Sequence, residues 1–208
     1  MKKIVRFTLI IMLSVTFVFG FKNDASASMV HTIKSGDTMW KIAVQYQVGV
    51  TEIIQANPQV SNPDVIYPGQ SMNIPTLNAA VMNMEAEVVK LVNQERAKHG
   101  LKALTPKWEL SRVARFKSQD MIDRKYFDHN SPTYGTPFKM ITDFGIQYRS
   151  AGENIAAGQT SAEAVVNSWM NSDGHRKNIL SNQYTEIGVG YAKGGSYGHY
   201  WTQMFITR

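Results

Sequence analysis

The first 27 residues limit how the rest of the chain can fold, because they resemble an export signal and the chain has no cysteine. Residues 1–6 are basic, residues 7–21 are uncharged and mostly apolar, and residues 25–27 are Ala-Ser-Ala, a small-residue cleavage motif. We expect a signal peptide cleaved after Ala27. The alternative is a retained membrane anchor, but the apolar run is shorter than the roughly 20 residues that span a bilayer. An exported chain without disulfides has to fold on its apolar cores alone.

The charge of the remaining chain argues against a nucleic-acid partner. Removing residues 1–27 takes away four basic residues and one acidic residue, so the formal net charge falls from +6 to +3. No run of lysine or arginine remains in residues 28–208, whereas nucleic-acid-binding domains carry clustered basic residues. The 181 residues that remain are enough for one large domain or two small ones.

Residues 30–75 predict a small module with the order strand, helix, helix, strand. VHTIK alternates with period two, and the turn at residues 35–38 provides an N-cap for a helix beginning at Met39. A second short helix ends before Pro58, and a Pro-Gly turn leads into the strand SMNIP. The expected inner face of the first helix consists of Trp40, Ala43, Val44 and Tyr46.

The segments HTIKSGDTMWKIA, EIIQANP and VIYPGQSMNIP resemble a LysM domain, which we assign to residues 29–76. The resemblance implies binding to N-acetylglucosamine-containing glycans such as peptidoglycan or chitin, in a groove between two loops. By position, the groove residues are Gly36, Asp37, Thr38, Ile66, Tyr67 and Pro68. The charged residues between Met29 and Thr76 sum to −1, which suits a neutral sugar better than a polyanion.

Residues 84–208 predict a second module, after a short linker at residues 77–83 and with no shared apolar surface evident between the two. Helices are expected from residue 84 to a stop at Gly100, after an N-cap at Thr105 followed by Pro106, and after a second Thr-Pro pair at residues 136–137. A capping box of Thr160 and Glu163 predicts a further helix. Two alternating runs around residues 194–196 predict a terminal β-hairpin. The fold class is therefore α+β.

Glu153 is a carboxylate in the otherwise small and apolar stretch RSAGENIAAG. Burying a carboxylate costs several kcal/mol, as a rough figure, unless a partner or a cation compensates. His129 and His175 are candidate partners, and two histidines with one carboxylate are a common zinc ligand set. Their spacing from Glu153, 24 and 22 residues, matches no local metal motif. The alternative is that the histidines cap turns and that Glu153 accepts backbone hydrogen bonds in a loop.

A second resemblance links these residues. HNSP, GENIA, AVVNSWMNSDGHRKNIL and EIGVGYA, in that order, are similar to the bacterial branch of the CAP superfamily (SCP/PR-1-like domains). The resemblance implies an α-β-α sandwich over residues 84–208. It also implies a cleft in which two histidines and two glutamates bind a divalent cation, such as zinc, in several members. His129, Glu153 and His175 match three of these residues by position.

The fourth position of this cleft departs from the family, because Ser172 stands where the second glutamate is expected. Asp173, Asp128 or a water could take its place. His199 competes with His175, since GHYWTQ is similar to a eukaryotic CAP signature. We prefer His175, because an extra tryptophan breaks the spacing around His199 and because His199 follows the EIGVG strand.

Two functions are compatible with these patterns. In the first, which we favour, the protein is secreted to the cell wall or spore surface, binds peptidoglycan through LysM and presents the CAP cleft to a ligand or protein partner. In the second, the cleft is a hydrolase site for wall material in which Glu153 is the base and a histidine or metal activates water. A serine nucleophile, Ser131 or Ser172, is disfavoured, since neither lies in a Gly-x-Ser-x-Gly motif. No membrane contact is expected after signal cleavage.

Overall fold

A computed structural model describes residues 28–208 as two modules; the expected signal peptide lies outside these residues. Within the described part of the chain, no helix combines the length and apolarity needed to cross a membrane. The first module contains β1 (Ser28–Thr32), α1 (Met39–Tyr46), α2 (Val50–Gln55) and β2 (Ser71–Pro75). β1 and β2 pair antiparallel. The two strands and two helices therefore occur in the order that the sequence predicts.

The buried face of α1 differs from the prediction. Met39, Ile42 and Ala43 are buried, whereas Trp40 is 62% exposed and Val44 is 42% exposed. Met39, Ile42 and Ala43 form one stripe at spacings of three and four residues, and the Trp40–Val44 stripe lies about 100° around the helix. The choice of Trp40 and Val44 as inner residues was wrong, because both stripes are apolar and only the position of the β-sheet decides between them.

The second module is an α-β-α sandwich, as expected from the resemblance. Its helices are α3 (Ala79–Lys98), α4 (Trp108–Asp123), α5 (Pro137–Asp143), α6 (Ala162–Met170) and α7 (Asp173–Ile179). Its strands are β3 (Thr105–Pro106), β4 (Ser150–Ala157), β5 (Glu186–Gly194) and β6 (Gly198–Thr207). The sheet order is β3-β5-β6-β4, with β3 parallel to β5 and the other pairs antiparallel. One apolar core joins α3 and α6 to one face of the sheet, and a second joins α4 and α5 to the other.

Three predicted boundaries in this module were wrong. α3 begins at Ala79, so most of the expected linker at residues 77–83 is helical, with Asn78 as the N-cap. Thr105 and Pro106 are not a helix cap but strand β3, because the amides of Thr105 and Lys107 donate to the carbonyl groups of Thr185 and Ile187 at the start of β5. The N-cap of α6 is Ser161, whose hydroxyl accepts from the Ala164 amide at 3.2 Å, and not Thr160.

The close packing of α4 on β5 depends on two glycines in the EIGVG segment. A Cβ atom on Gly188 would lie 2.4 Å from the Leu110 carbonyl carbon, and one on Gly190 would lie 2.1 Å from that of Ala114. Only residues without a side chain allow this approach. The contact brings α4 directly onto the sheet face that also carries the Glu153 side chain.

The two modules contact each other through an ion pair. The Arg112 guanidinium on α4 donates to both carboxylate oxygens of Glu52 on α2, at 2.5 and 2.7 Å. The same guanidinium lies 5.0 Å from the Phe144 ring centroid and 5.2 Å from that of Phe116. The sequence pattern, which showed no shared apolar surface, did not predict this charged contact between the modules.

Candidate functional site

Glu153 lies in the middle of β4, which is an edge strand of the sheet and not a loop as one alternative had it. Three carbonyl groups on the outer side of this edge are covered by side chains. Trp169 donates to Ile155 at 3.3 Å, Asn178 to Glu153 at 3.2 Å and Tyr184 to Ala151 at 3.2 Å. The edge is thus closed to pairing with another strand, which is one way in which proteins protect exposed sheet edges.

Glu153 and His129 form a direct pair. The His129 Nδ1 and Glu153 Oε1 atoms are 2.7 Å apart, and the Glu153 side chain is 2% exposed whereas that of His129 is 52% exposed. The second carboxylate oxygen, Oε2, is buried and has no hydrogen-bond partner within residues 28–208. Glu153 is therefore compensated on one oxygen only.

The environment favours a proton shared between these two residues. Burial raises the pKa of the Glu153 carboxyl, although the hydrogen bond from His129 opposes this effect. The hydrogen bond to Glu153 raises the pKa of His129 above its ordinary value, against the opposing effect of burial. Since both pKa values shift upward, the pair holds a proton to a higher pH than two free side chains would.

His175 lies on α7, near this pair but not in contact with it. Its backbone carbonyl accepts a hydrogen bond from the Asn154 amide at 3.1 Å. Burial lowers the pKa of the His175 ring, and the charge of His129 lowers it further. Across residues 28–208, no hydrogen bond or ion pair joins the His175 ring to Glu153 or His129. The structure thus brings two of the three predicted residues together and places the third beside them with a neutral ring.

Lys117 holds the loop that carries His129, and sequence reasoning missed it. Its side chain is fully buried on α4, and its Nζ donates to the carbonyl oxygens of Asp128 at 2.8 Å and of His129 at 2.7 Å. Burial lowers the pKa of Lys117, and the nearby Glu153 carboxylate partly offsets that effect. The sequence could have indicated that Lys117 is buried, because it lies four residues from both Val113 and Met121 on the apolar stripe of α4.

Asp120, one turn further along α4, shapes the same loop and was also missed. Its carboxylate accepts hydrogen bonds, all at 2.6 Å, from the hydroxyl groups of Tyr126, Ser131 and Thr133. These contacts fix the loop on both sides of His129. Asp120 and Lys117 are therefore positioning residues for the His129 ring.

On the opposite face of β4, a set of amide side chains fixes α7 to the strand. Asn154 donates to the Gln203 side-chain oxygen at 2.9 Å and accepts from Asn178 at 2.8 Å. Asn154 and Gln203 are fully buried. Together with the bond from Asn154 to the His175 carbonyl, these contacts determine where His175 lies relative to Glu153.

In the first module, the two loops expected to bind a glycan lie side by side. The Ile33 amide donates to the Gln70 carbonyl at 2.8 Å, and the Gly69 amide donates to the Ile33 carbonyl at 2.9 Å. Asp37 is held in place by His31 at 2.9 Å and by the Lys34 amide at 2.8 Å, and the hydrogen bond from His31 is the main cause of its lowered pKa. Tyr67, which lies in the second loop, is 66% exposed. The bases of the two loops are therefore held together, and the second loop carries an exposed aromatic side chain.

Comparison with known proteins identifies both modules. Residues 89–205 match the cysteine-rich secretory protein (CAP) family, and residues 31–75 match the LysM domain. The CAP match covers more than half of the chain. The chain belongs to the CAP family. It carries a LysM domain before the CAP domain.

The chain is similar to proteins of Bacillus and Staphylococcus. It is 58% identical over 128 residues to the uncharacterized protein YkwD of Bacillus subtilis (strain 168), a match that covers 62% of this chain and 49% of YkwD. A solved extracellular protein with an SCP domain from Bacillus anthracis is 34% identical, with a TM-score of 0.57, over 68% of this chain and 47% of that one. The probable autolysin SsaALP of Staphylococcus aureus is 40% identical over 52 residues, 25% of this chain and 19% of that protein. The chain thus spans about half or less of the length of these relatives.

The other acidic candidates in the CAP domain are already engaged. Asp173 is an exposed partner of Arg176, and the Asp128 side chain accepts from the Asn130 amide at 2.7 Å. Ser172 is the N-cap residue of α7, but its side chain makes no capping hydrogen bond. A substitute for the missing carboxylate is therefore not in place.

Two other residues were candidates for the site, His199 and Ser131. His199 lies far from the His129–Glu153 pair, and the Ser131 hydroxyl is already hydrogen-bonded. The His199 ring is hydrogen-bonded to the Tyr191 hydroxyl at 2.7 Å. In the sheet, His199 lies opposite Lys193 near the turn of the hairpin, whereas Glu153 lies opposite Met204 further along β6. His199 and Met204 are five residues apart on β6, which corresponds to about 17 Å of strand. The Ser131 hydroxyl donates to Asp120 and accepts from two loop amides, so it is a structural group.

A divalent cation would need more ligands than the pair supplies. Within residues 28–208, no group of three or more histidine, cysteine, aspartate or glutamate side chains is placed to hold a metal ion. Zinc sites in proteins use at least three protein ligands. The arrangement of His129, Glu153 and His175 therefore does not fit such a site as it stands, and the cation stays a prediction from the resemblance.

Proposed function

We propose that this protein binds peptidoglycan through the LysM loops and presents the CAP cleft, built on His129, Glu153 and His175, to a ligand at the cell wall. The adjacency of the two LysM loops carries the proposal. Gly36, Asp37 and Thr38 on one side, and Ile66, Tyr67 and Pro68 on the other, would contact the sugar. The exposed Tyr67 ring offers a stacking surface, and backbone groups in the turns offer hydrogen bonds.

The CAP cleft is better suited to binding than to catalysis. With Nδ1 engaged by Glu153, the half-exposed His129 ring leaves its Nε2 atom for a ligand, to which it donates when the ring is protonated and from which it accepts when the ring is neutral. Glu153 is buried and holds this ring in one orientation through the hydrogen bond to Nδ1. In this role Glu153 is a positioning residue, and His129 and the neutral His175 ring contact the ligand.

The alternative, a wall hydrolase, has one observation in its favour. A carboxyl group with a raised pKa next to a histidine is the kind of pair that performs general acid–base chemistry. Against it, the accessible member of the pair is His129, while both Glu153 oxygens are buried. The likeness to a probable autolysin extends over 52 residues, too few to include the CAP domain, and so lends no support to catalysis there.

The proposed location of the protein follows from its leader-like segment and its LysM domain. The leader-like residues 1–27 and the LysM domain together support export and retention on the wall of the cell or on the spore surface. Retention through LysM would place the CAP domain within reach of ligands on the same polymer.

The experiment is co-sedimentation of residues 28–208 with purified insoluble peptidoglycan. Tyr67→Ala should remove most of the bound protein, and Phe138→Ala, which truncates an exposed aromatic on the CAP domain, should leave it unchanged. Muropeptides released into the supernatant are measured in the same tube. Undiminished binding by Tyr67→Ala would refute the LysM assignment. Muropeptide release that Glu153→Gln abolishes would establish the hydrolase alternative.

A further inference from the structure

A buried histidine, His31, is tied to the first of the two LysM loops. It is the buried residue of β1, with 6% of its surface exposed. Its Nε2 atom lies 2.9 Å from the Asp37 Oδ2 atom, and its Nδ1 atom lies 2.9 Å from the Tyr46 hydroxyl oxygen. The ring therefore joins the loop of Asp37 to helix α1 through both of its nitrogens.

Asp37 closes the turn at residues 34–37 with its backbone and with its side chain. Its amide donates to the Lys34 carbonyl at 3.1 Å, and its Oδ2 atom accepts from the Lys34 amide at 2.8 Å. Gly36, at the third position of this turn, has a φ of 86°, a value that favours glycine. The Asp37 side chain is 19% exposed. Its carboxylate thus lies mostly inside the module, where it holds the turn.

Two other polar groups of the first loop are engaged in the same way. The Thr38 hydroxyl accepts from the Lys41 amide at 3.1 Å, and the Gly36 carbonyl accepts from the Lys41 ammonium group at 2.6 Å. The amides of Gly36 and Thr38 make no hydrogen bond within residues 28–208. These amides are left for a sugar, and their direction depends on how the turn is held.

The Asp37 carboxylate determines which nitrogen of the His31 ring carries a proton. The hydrogen bonds from His31 and from the Lys34 amide lower the pKa of Asp37, so its carboxyl group is ionised at physiological pH and can only accept. Nε2 must therefore carry a proton whether the ring is neutral or charged. In the neutral ring, Nδ1 accepts from the Tyr46 hydroxyl. Tyr46 thus stabilises the tautomer that the bond to Asp37 requires.

We propose that His31 and Tyr46 are positioning residues for the LysM glycan site, because they fix the first loop through Asp37 in the shape that a sugar binds. This inference rests on the proposed function and deepens it, since it names side chains that set the affinity of that site. Asp37 meets the sugar with its backbone and not with its carboxylate. The second loop does not depend on His31, because its base is bonded directly to Ile33.

Two substitutions at position 31 separate the two hydrogen bonds of the ring. Glutamine places its side-chain nitrogen where the ring has Nε2, and asparagine places its nitrogen where the ring has Nδ1. His31→Gln should therefore keep the bond to Asp37 and bind a soluble N-acetylglucosamine tetramer within about twofold of the wild type. His31→Asn should bind it about fivefold more weakly, as expected for the loss of one hydrogen bond. Calorimetric titration of residues 28–208 measures both affinities.

Two further variants complete the design, and thermal melting checks that each is folded. His99→Asn is the matched control, since it makes the same substitution at an exposed histidine that ends α3 in the CAP domain, and it should leave the affinity unchanged. Asp37→Asn keeps an oxygen that can accept both hydrogen bonds, so it should bind within about threefold of the wild type. It provides the test if His31→Asn does not fold, because loss of binding by Asp37→Asn would show that the carboxylate itself contacts the sugar.

A measurement on the wild-type protein needs no substitution. Long-range ¹H–¹⁵N NMR spectra of the histidine rings show which nitrogen carries the proton. At about pH 7.5 the His31 ring should be protonated on Nε2. A neutral His31 ring with its proton on Nδ1 would contradict the bond to Asp37 and overturn the inference.

The affinities distinguish this inference from the LysM proposal. If the wild type binds the tetramer and Tyr67→Ala weakens binding, but His31→Asn binds as well as the wild type, the LysM proposal stands and this inference fails. An equal loss in His31→Gln and His31→Asn would also overturn it, because the bond to Asp37 would then not be the cause. A wild-type protein that does not bind the tetramer would refute the LysM proposal itself.

Discussion

Replacing Glu153 with glutamine tests the electrostatic account of the cleft most sharply. The substitution keeps the shape of the side chain but removes its charge. In the wild-type protein the hydrogen bond to Glu153 is the main factor that raises the pKa of His129. In Glu153→Gln, burial and the charge of Lys117 remain, and both lower that pKa. His129 should therefore titrate above about 6.5 in the wild type and below it in the variant.

The sign of the stability effect follows from proton linkage. A raised pKa in the folded state means that the native protein holds a proton that the unfolded chain has lost. The stabilisation is complete below about pH 6.5 and disappears as the pH rises through the folded-state pKa. Because one proton is involved, the free energy of unfolding can change by at most about 1.4 kcal/mol per pH unit. Because the His129 side chain is 52% exposed, solvent screening reduces the total to about 1 kcal/mol or less.

Two measurements check this prediction. NMR titration of the histidine Cε1–H signals gives the pKa of His129, and urea unfolding at about pH 6 and about pH 8 gives the linked change in the free energy of unfolding. Glu87→Gln is the control, since Glu87 is an α3 residue paired with Lys90. A His129 that titrates at the same pH in the wild type and in Glu153→Gln would refute the reasoning.

Three further predictions concern the framework. Lys117→Met removes the donor to the Asp128 and His129 carbonyl groups and should lower the free energy of unfolding by about 1–2 kcal/mol, measured in urea. Gly190→Ala forces a Cβ atom to within 2.1 Å of the α4 backbone and should cost about 2–4 kcal/mol in the same assay, whereas Gly174→Ala, with open space around it, should cost nothing. Arg112→Ala removes the contact to Glu52 and should shift the LysM transition in calorimetry by about 1 kcal/mol or less; no shift at all would show that the modules are uncoupled.

Local patterns in the sequence predicted most of the fold, and the failures have a common physical cause. The two Thr-Pro pairs illustrate this. Thr136 caps α5 as expected, with its hydroxyl accepting from the Lys139 amide. Thr105 instead joins the sheet, because its amide donates to Thr185, which is 80 residues away. Local propensity is the same at both pairs, and a long-range partner that no local pattern encodes decides the outcome at the second.

In the candidate site, too, some residues were predictable from the sequence and others depend on long-range contacts. The resemblance named His129 and Glu153, and the structure places them in contact. It could not name Lys117 or Asp120, because their role depends on how one loop folds back over α4. Lys117 was detectable as a cation on an apolar stripe. Nothing local marks Asn154, whose hydrogen bonds to Gln203, Asn178 and the His175 carbonyl form only when β4, β6 and α7 are assembled.

The most direct test of the central claim is calorimetric titration of residues 28–208 with a soluble N-acetylglucosamine tetramer at low and high salt. Since the LysM module has a formal charge of only −1, raising NaCl from about 0.05 M to about 0.5 M should change the affinity by less than about twofold. Tyr67→Ala should reduce it at least about tenfold. An affinity that falls tenfold or more with salt, or that Tyr67→Ala leaves unchanged, would contradict glycan binding by these loops.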